Sequence, residues 1–419
     1  MSESSPSRNA LVLGGVWMIV LAALLLACGL CSALCYAVLP FTSQPRGSAV
    51  DSNVVFGALT GMGILLGGVF LWQGIGTLRG GWAVQAARVF PHVALFVILF
   101  LLAILCGVGA LAIPSLVKGA AAEAVTAFVF PPWHFIAASV PPIALLAYAA
   151  HRLGAASGVR ALLVSFGWGA LGATVIAVVV ELAIAAVFVI VAALAIAARP
   201  DSRALIDQFR AEVELARGTD DPAAVSKILT EPAVFAGVLL YAAVLIPLVE
   251  EALKTIAVAF VDPRRTRPAD ALLWGIGAGA GFALFENLFN GGATLELWAM
   301  AAFLRIGATI MHVANGATMG RGWYAARVER RWSQLLIAYL ISVIYHAVWN
   351  ATALSLSSSA VSVLSEQGAP LAATLPAAAL ALALFAVLVT LATGGVVWIV
   401  RSVRSAQASL SLQPAERSE

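Results

Sequence analysis

Residues 247–258 read PLVEEALKTIAV, placing two carboxylates and an amine inside a run apolar enough to cross a bilayer. Glu250 and Lys254 are four residues apart and Glu251 and Lys254 three, so on a helix the lysine reaches either carboxylate. Farther along, Phe282 and Glu286 share the i,i+4 spacing, with Asn287 next in line. Arg305, Thr309, His312 and Gly316 fall on one helical face, and Ser342, His346 and Asn350 on another. A charged side chain at mid-bilayer costs about 2.5–3.5 kcal/mol on insertion scales, so such residues are rare and point to function. Those here are Glu181, Glu250, Glu251, Lys254, Glu286, Arg305, His312 and His346, and all but Glu181 lie between 232 and 355. Glu181 stands alone in its span and is expected to be protonated or to face another helix, with no further role.

Clustered carboxylates resist joint ionisation, so one of them can serve as an acid or base. Two imidazoles with carboxylate oxygens can also ligate zinc and leave a position open for water. Either arrangement activates water. The same residue types also make a polar seam that fixes helix register, or a proton relay in a transporter. Two adjacent glutamates, a third on the next span and two histidines on the following two exceed what a seam needs. The paired broken helices of inverted-repeat transporters do not stand out.

The elements that must position these groups are helices. The chain has 419 residues, 62% of them hydrophobic and 11% charged, which defines an all-α polytopic membrane protein. A span takes about 20 apolar residues. Ten segments qualify: 11–39, 54–77, 91–115, 132–150, 162–198, 232–260, 270–292, 296–320, 334–355 and 373–400. The fifth is overlong and is expected to kink or to lie partly in the interface. Pro247 removes a backbone hydrogen bond one turn before Glu251 and should bend the sixth. In the seventh, Gly275/Gly279 and Gly277/Gly281 are small-xxx-small pairs that let another helix approach closely. Cys28, Cys31, Cys35 and Cys106 all sit in apolar runs, which gives no disulfide framework.

The net charge of +3 is too small to imply nucleic acid as a partner. It reflects arginines gathered on one side of the membrane. With the N-terminus in the cytoplasm, Arg79, Arg88, Arg152, Arg264, Arg265 and Arg267 all fall inside, as do Arg327, Arg330 and Arg401, while the short outer loops hold only Arg46 and Lys118. This positive-inside bias puts both termini in the cytoplasm. The organisation is then an N-terminal membrane region (1–198), an extracytoplasmic segment (199–231), a membrane core with the chemistry in spans six to nine (232–355), and a last span with its tail (356–419). Segment 199–231 carries Leu205, Ile206, Phe209 and Val213 at helical spacing and reads as two short amphipathic helices.

In order, Glu250-Glu251-x-x-Lys254, Phe282-x-x-x-Glu286-Asn287, the Arg305 span with His312, and His346-x-x-x-Asn350 resemble the PrsW family of intramembrane proteases. That family is placed in the wider superfamily of CAAX prenyl endopeptidases, whose pattern is EExxxR, FxxxH and HxxxN. Glu286 stands where the wider superfamily has histidine, as it does in the PrsW branch. The resemblance covers 232–355. It implies an all-helical protease of the bacterial cytoplasmic membrane that cleaves membrane-anchored proteins, an anti-sigma factor in the best-known member. Some relatives are non-catalytic scaffolds. On this reading Glu250 and Glu251 position and deprotonate water. A divalent metal, zinc by preference, is held by Glu251, Glu286, His312 and His346. Asn350 donates to the developing oxyanion, Lys254 keeps a glutamate ionised, and Phe282, Asn287 and Arg305 support the site.

One count conflicts with a single site. If the seventh span starts near Ala271, Glu286 lies roughly 8 Å outside its midpoint, whereas Glu250 and His312 lie roughly 6 Å to the cytoplasmic side of theirs. The topology itself can be checked with reporter fusions. Those after Gln44 and near Gly218 should report outside, and those after Arg265 and Arg330 inside. A cytoplasmic signal at Gly218 would invert the scheme.

Overall fold

The computed structural model describes residues 8–41, 48–79, 88–117, 120–154, 158–198, 207, 232–260, 262–264, 266–289, 295–365 and 371–411. Among these the chain is helical, with no β-strand. In order come α1 (Arg8–Val38), α2 (Ser48–Leu78), α3 (Val93–Leu111) and α4 (Ala120–Leu153). Next come α5 (Val159–Gly167) and α6 (Thr174–Ala197), joined by a π-turn at Trp168–Ala173. Then α7 (Pro232–Leu240) and α8 (Ile246–Lys254) are joined by a second π-turn at Tyr241–Leu245. The last four are α9 (Pro268–Phe289), α10 (Trp298–Arg327), α11 (Trp332–Ser365) and α12 (Leu371–Ser411). The expected amphipathic helices of 199–231 and the tail beyond Ser411 lie outside the described residues.

Among the described residues nine spans are long and apolar enough to cross a membrane. The remaining long helix is α10. At 30 residues it extends about 45 Å, and its polar residues make it less apolar than the other nine. It tolerates them because α4, α9, α11 and α12 pack around it. The fourth span begins earlier than expected. α4 continues through Pro131, Pro132, Pro141 and Pro142, as membrane helices can when neighbouring helices satisfy the freed carbonyls. The overlong fifth span is α5, the π-turn and α6 in sequence.

Pro247 acts as its chemistry requires. It has no N–H for the carbonyl four residues back, and its ring crowds that carbonyl. The helix widens into the π-turn just before it, and α8 restarts at Ile246. In the π-turn the Ile246 N–H donates to the Tyr241 oxygen, five residues back, so in this register Pro247 leaves the Ala242 carbonyl without a donor, and that carbonyl accepts from the Asn350 side chain at 2.8 Å.

Helix α9 is the centre of the bundle. In its most apolar window 83% of residues are buried, against 6–56% in the other eight spans. Its alternate glycines serve two neighbours. A Cβ on Gly275 would lie 2.2 Å from the Gly316 carbonyl oxygen, and one on Gly279 2.3 Å from that of His312. On the opposite face, a Cβ on Gly281 would lie 2.0 Å from the Phe166 oxygen. The two small-xxx-small pairs therefore admit α10 on one side and α5 on the other. One apolar core runs through both halves of the chain, joining Met18, Phe70, Leu162 and Phe166 to Ile276, Leu284, Val313 and Ile399. Trp17, Leu24, Leu105, Val179, Leu182 and Leu382 are exposed, as lipid-facing side chains of a polytopic protein should be.

The close crossing yields a stability prediction. Gly279→Val and Gly316→Val should each destabilise the protein by about 1–3 kcal/mol or more through overpacking. Gly109→Ala, where an added Cβ meets nothing within 4 Å, should be nearly neutral. Thermal unfolding in one detergent compares the three.

Candidate functional site

The register of α9 against α10 explains how side chains at different heights meet. The glycine contacts set Ala271 opposite Gly320, Gly275 opposite Gly316, and Gly279 opposite His312. Continued one way, this antiparallel register brings Glu286 level with Arg305. Their ion pair measures 2.7 Å. His312 lies two turns from that level, yet its Nε2 is 2.7 Å from Glu286 Oε2. Helical side chains lean toward their own N-terminus, so on antiparallel helices the two lean toward each other. The depth conflict in the sequence disappears, because Glu286 reaches the cluster by leaning rather than by sitting at the span's midpoint.

Lys254, with no exposed surface, is where α8, α9 and α10 converge. Its Nζ donates to Glu251 Oε1 at 2.6 Å and to His312 Nδ1 at 2.8 Å. It also lies 4.4 Å from the centroid of Phe282, a cation–π contact in a site closed to water. Phe282 therefore forms the floor beneath the amine. An ammonium has no acceptor, so His312 Nδ1 accepts and the ring proton sits on Nε2, donated to Glu286.

Glu251 Oε1 is the acceptor that gathers three helices. Besides Lys254 it takes Asn315 Nδ2 at 3.1 Å and His346 Nδ1 at 2.9 Å. The His346 proton is thus on Nδ1, which leaves the Nε2 lone pair available. A carboxylate behind a histidine in this way is the usual partner of a metal-ligating imidazole. The two rings pack edge to face, with centroids 5.0 Å apart.

Glu250 is placed differently from its neighbour. Successive helical residues point about 100° apart, so Glu251 faces the interior while Glu250 lines a cavity of about 550 Å³. Glu250 Oε2 is buried without a hydrogen-bond partner and lies 3.7 Å from His346 Nδ1. Also on the wall are Phe282, Glu286, Arg305, His312 and Asn350. From the cluster, the lining residues run toward Ala242 on the π-turn before α8 and toward Ser357 on α11. Both lead to the membrane face where residues 199–231 attach.

Ligand atoms of Glu250, His312 and His346 all lie within 4.8 Å of one another. A tetrahedral ion with bonds of about 2.1 Å holds its ligands about 3.4 Å apart. The triangle fits a metal after modest closure, and the orphaned oxygen of Glu250 is the kind of group an ion would satisfy. Both nitrogens of His312 are engaged, so ligation through it requires release of Lys254 or Glu286.

The remaining polar residues brace the cluster. Asn287 donates to Thr309 Oγ1 and the Ala138 oxygen, and its Oδ1 accepts from Arg305 Nε at 2.8 Å. Sequence reasoning passed over Asn315, although it stands one turn after His312 on the same face. It also passed over Trp168, whose indole donates to the Leu253 oxygen at 2.9 Å, and His134, which joins Trp298 to the end of α9. Neither of these last two carries a local signal, since its partner lies far along the chain. Glu181, given no role from the sequence, stands on the cavity wall.

The division of labour between the adjacent glutamates is measurable. Glu251→Gln leaves Lys254 without its carboxylate and should destabilise by about 3–5 kcal/mol. Glu250→Gln, whose Oε2 has no hydrogen-bond partner, should cost far less. Equal losses in thermal unfolding would contradict the arrangement described.

No curated protein and no solved structure matches the chain. Residues 221–391, a stretch holding every member of the Glu250–Asn350 cluster, match the family described as PrsW family intramembrane metalloprotease, and this part of the chain is similar to it.

Proposed function

We propose that this protein is an intramembrane endopeptidase that hydrolyses membrane-anchored proteins. The observation that carries the reading is a buried carboxylate with an unpartnered oxygen, held against two histidines at the head of a cavity. A polar group kept out of water and left unpaired costs stability, so its presence calls for a use such as catalysis. The family likeness of residues 221–391 supports the same reading.

In this mechanism Glu250, while no ion occupies its free oxygen, binds the attacking water there and takes its proton; with an ion bound, that oxygen would be a ligand instead. Glu251 holds His346 in the tautomer that presents Nε2, and Glu286 holds His312 in the opposite one. These two carboxylates thus act through the imidazoles, and Glu250, His312 and His346 form the better ligand set for a divalent ion such as zinc. Such an ion, when bound, supplies Lewis-acid polarisation and a more acidic water. Arg305 and Asn350 bring N–H groups to the cavity wall, where they can face the oxyanion of the tetrahedral intermediate. Asn350 has one donor committed to Ala242 and a second N–H to offer. Lys254 keeps Glu251 ionised and the His312 proton on Nε2.

The wider placement, among the CAAX prenyl endopeptidases, rests on the order of the motifs. The substrate class is a protein with a single membrane anchor, an anti-sigma factor being the candidate the resemblance supplies. The membrane is the bacterial cytoplasmic one, with both termini inside and the cavity opening outward.

The decisive comparison uses purified protein in detergent. Glu250→Gln should remain folded, bind an anchored substrate and fail to cut it, with a loss of at least about 10²-fold in rate, as for a general base. His346→Ala should also lose cleavage, and bound metal measured by elemental analysis should fall in both. Normal cleavage by Glu250→Gln would remove the assignment, and a wild-type protein that binds but never cuts would instead be a scaffold.

A further inference from the structure

Helix α6 carries a single charged residue, Glu181, in an otherwise apolar run. A carboxyl group there is costly to insert and calls for a partner. The hydroxyl of Tyr241 donates to the main-chain oxygen of Glu181 at 3.1 Å and not to its side chain. Side-chain Oε1 is buried with no hydrogen-bond partner. The residue lines the same cavity as Glu250.

The cavity's charges are unbalanced. Among the described residues its one lining cation, Arg305, is committed to Glu286 and Asn287, and Lys254 behind the wall is committed to Glu251. Glu181 and Glu250 both present carboxyl oxygens that have no donor.

The packing of α5–α6 against α7–α8 gives the distance between them. Trp168 meets Leu253 and Glu181 meets Tyr241, so the two stretches run antiparallel. Glu181 therefore lies about two and a half turns from Glu250, roughly 13 Å along the axis, toward the end where residues 199–231 attach. Both side chains lean toward their own N-termini and so toward each other, which leaves roughly 10 Å between their carboxyl groups. An extended peptide advances about 3.4 Å per residue, so this separation corresponds to about three residues of substrate.

We infer that Glu181 is a specificity residue whose carboxylate receives the lysine or arginine side chain of a substrate about two to four residues from the scissile bond. This rests on the endopeptidase reading of the cavity. Glu181 lies outside residues 221–391, so the preference belongs to this chain's N-terminal helices and not to the matched segment.

The test uses full-length protein in detergent and synthetic single-span peptides that differ at one position, scanned along the segment beside the anchor. Each position carries Lys, Gln or Glu. Wild type should favour Lys over Gln by about tenfold in kcat/KM at one or two adjacent positions. Glu181→Gln should bring that ratio close to one, Glu181→Arg should turn the preference toward Glu, and Glu181→Asp, which keeps the charge, should retain it. A flat scan in wild type, or a lysine preference that survives in Glu181→Gln, would overturn the inference. Binding of the same peptides to Glu250→Gln, followed by fluorescence anisotropy, separates the two readings. Cleavage with a flat profile defeats only the role of Glu181. A lysine preference in binding, dependent on Glu181 and without cleavage by wild type, defeats only the protease.

Discussion

The ion pair between Lys254 and Glu251, 2.6 Å long and without exposed surface, is the interaction the rest of the site depends on. Two charges taken out of water need hydrogen bonds from their surroundings to be tolerable. That requirement recruits His312 to the amine and Asn315 and His346 to the carboxylate. It thereby fixes which nitrogen of each imidazole carries its proton. The chemistry offered to the cavity follows from how a buried lysine is neutralised.

Such a network needs helices closer than ordinary side chains allow. The glycines of α9 bring its backbone against α10 on one side and α5 on the other. Without that approach, His312 could not reach both Lys254 and Glu286. The π-turn ahead of Pro247 has a related effect. It re-aims α8 so that Glu250 faces the cavity and Glu251 the interior, and Asn350 satisfies the carbonyl it frees. A backbone irregularity and a side chain of the cavity wall are thus joined by one hydrogen bond.

The helices outside the matched segment do more than fill the bilayer. α4 holds the end of α9 through His134 and Asn287, and α5–α6 close the cavity and bring Glu181 to its wall. A polar residue in an otherwise lipid-facing helix marks the place where that helix turns inward.

Hydrocarbon permits few charges, so the sequence by itself determined the all-helical class and picked out Glu250, Glu251, Lys254, Glu286, Arg305, His312 and His346 as the charged and titratable groups of one stretch. Helical spacing was enough to put Lys254 within reach of Glu250 and Glu251, Phe282 on one face with Glu286 and His346 on one face with Asn350, because neighbours one turn apart share a face whatever surrounds them. Only the tertiary structure decided which of two adjacent glutamates meets the cavity. That choice depends on how α8 is rotated, which is set by a π-turn and by residues about a hundred positions away. It also decided that Glu286 and His312 meet across two turns, since the register comes from glycine contacts between helices. Glu181 reaches the cavity wall for the same reason. Its partner elements lie far along the chain, and no local pattern records the packing that brings them together.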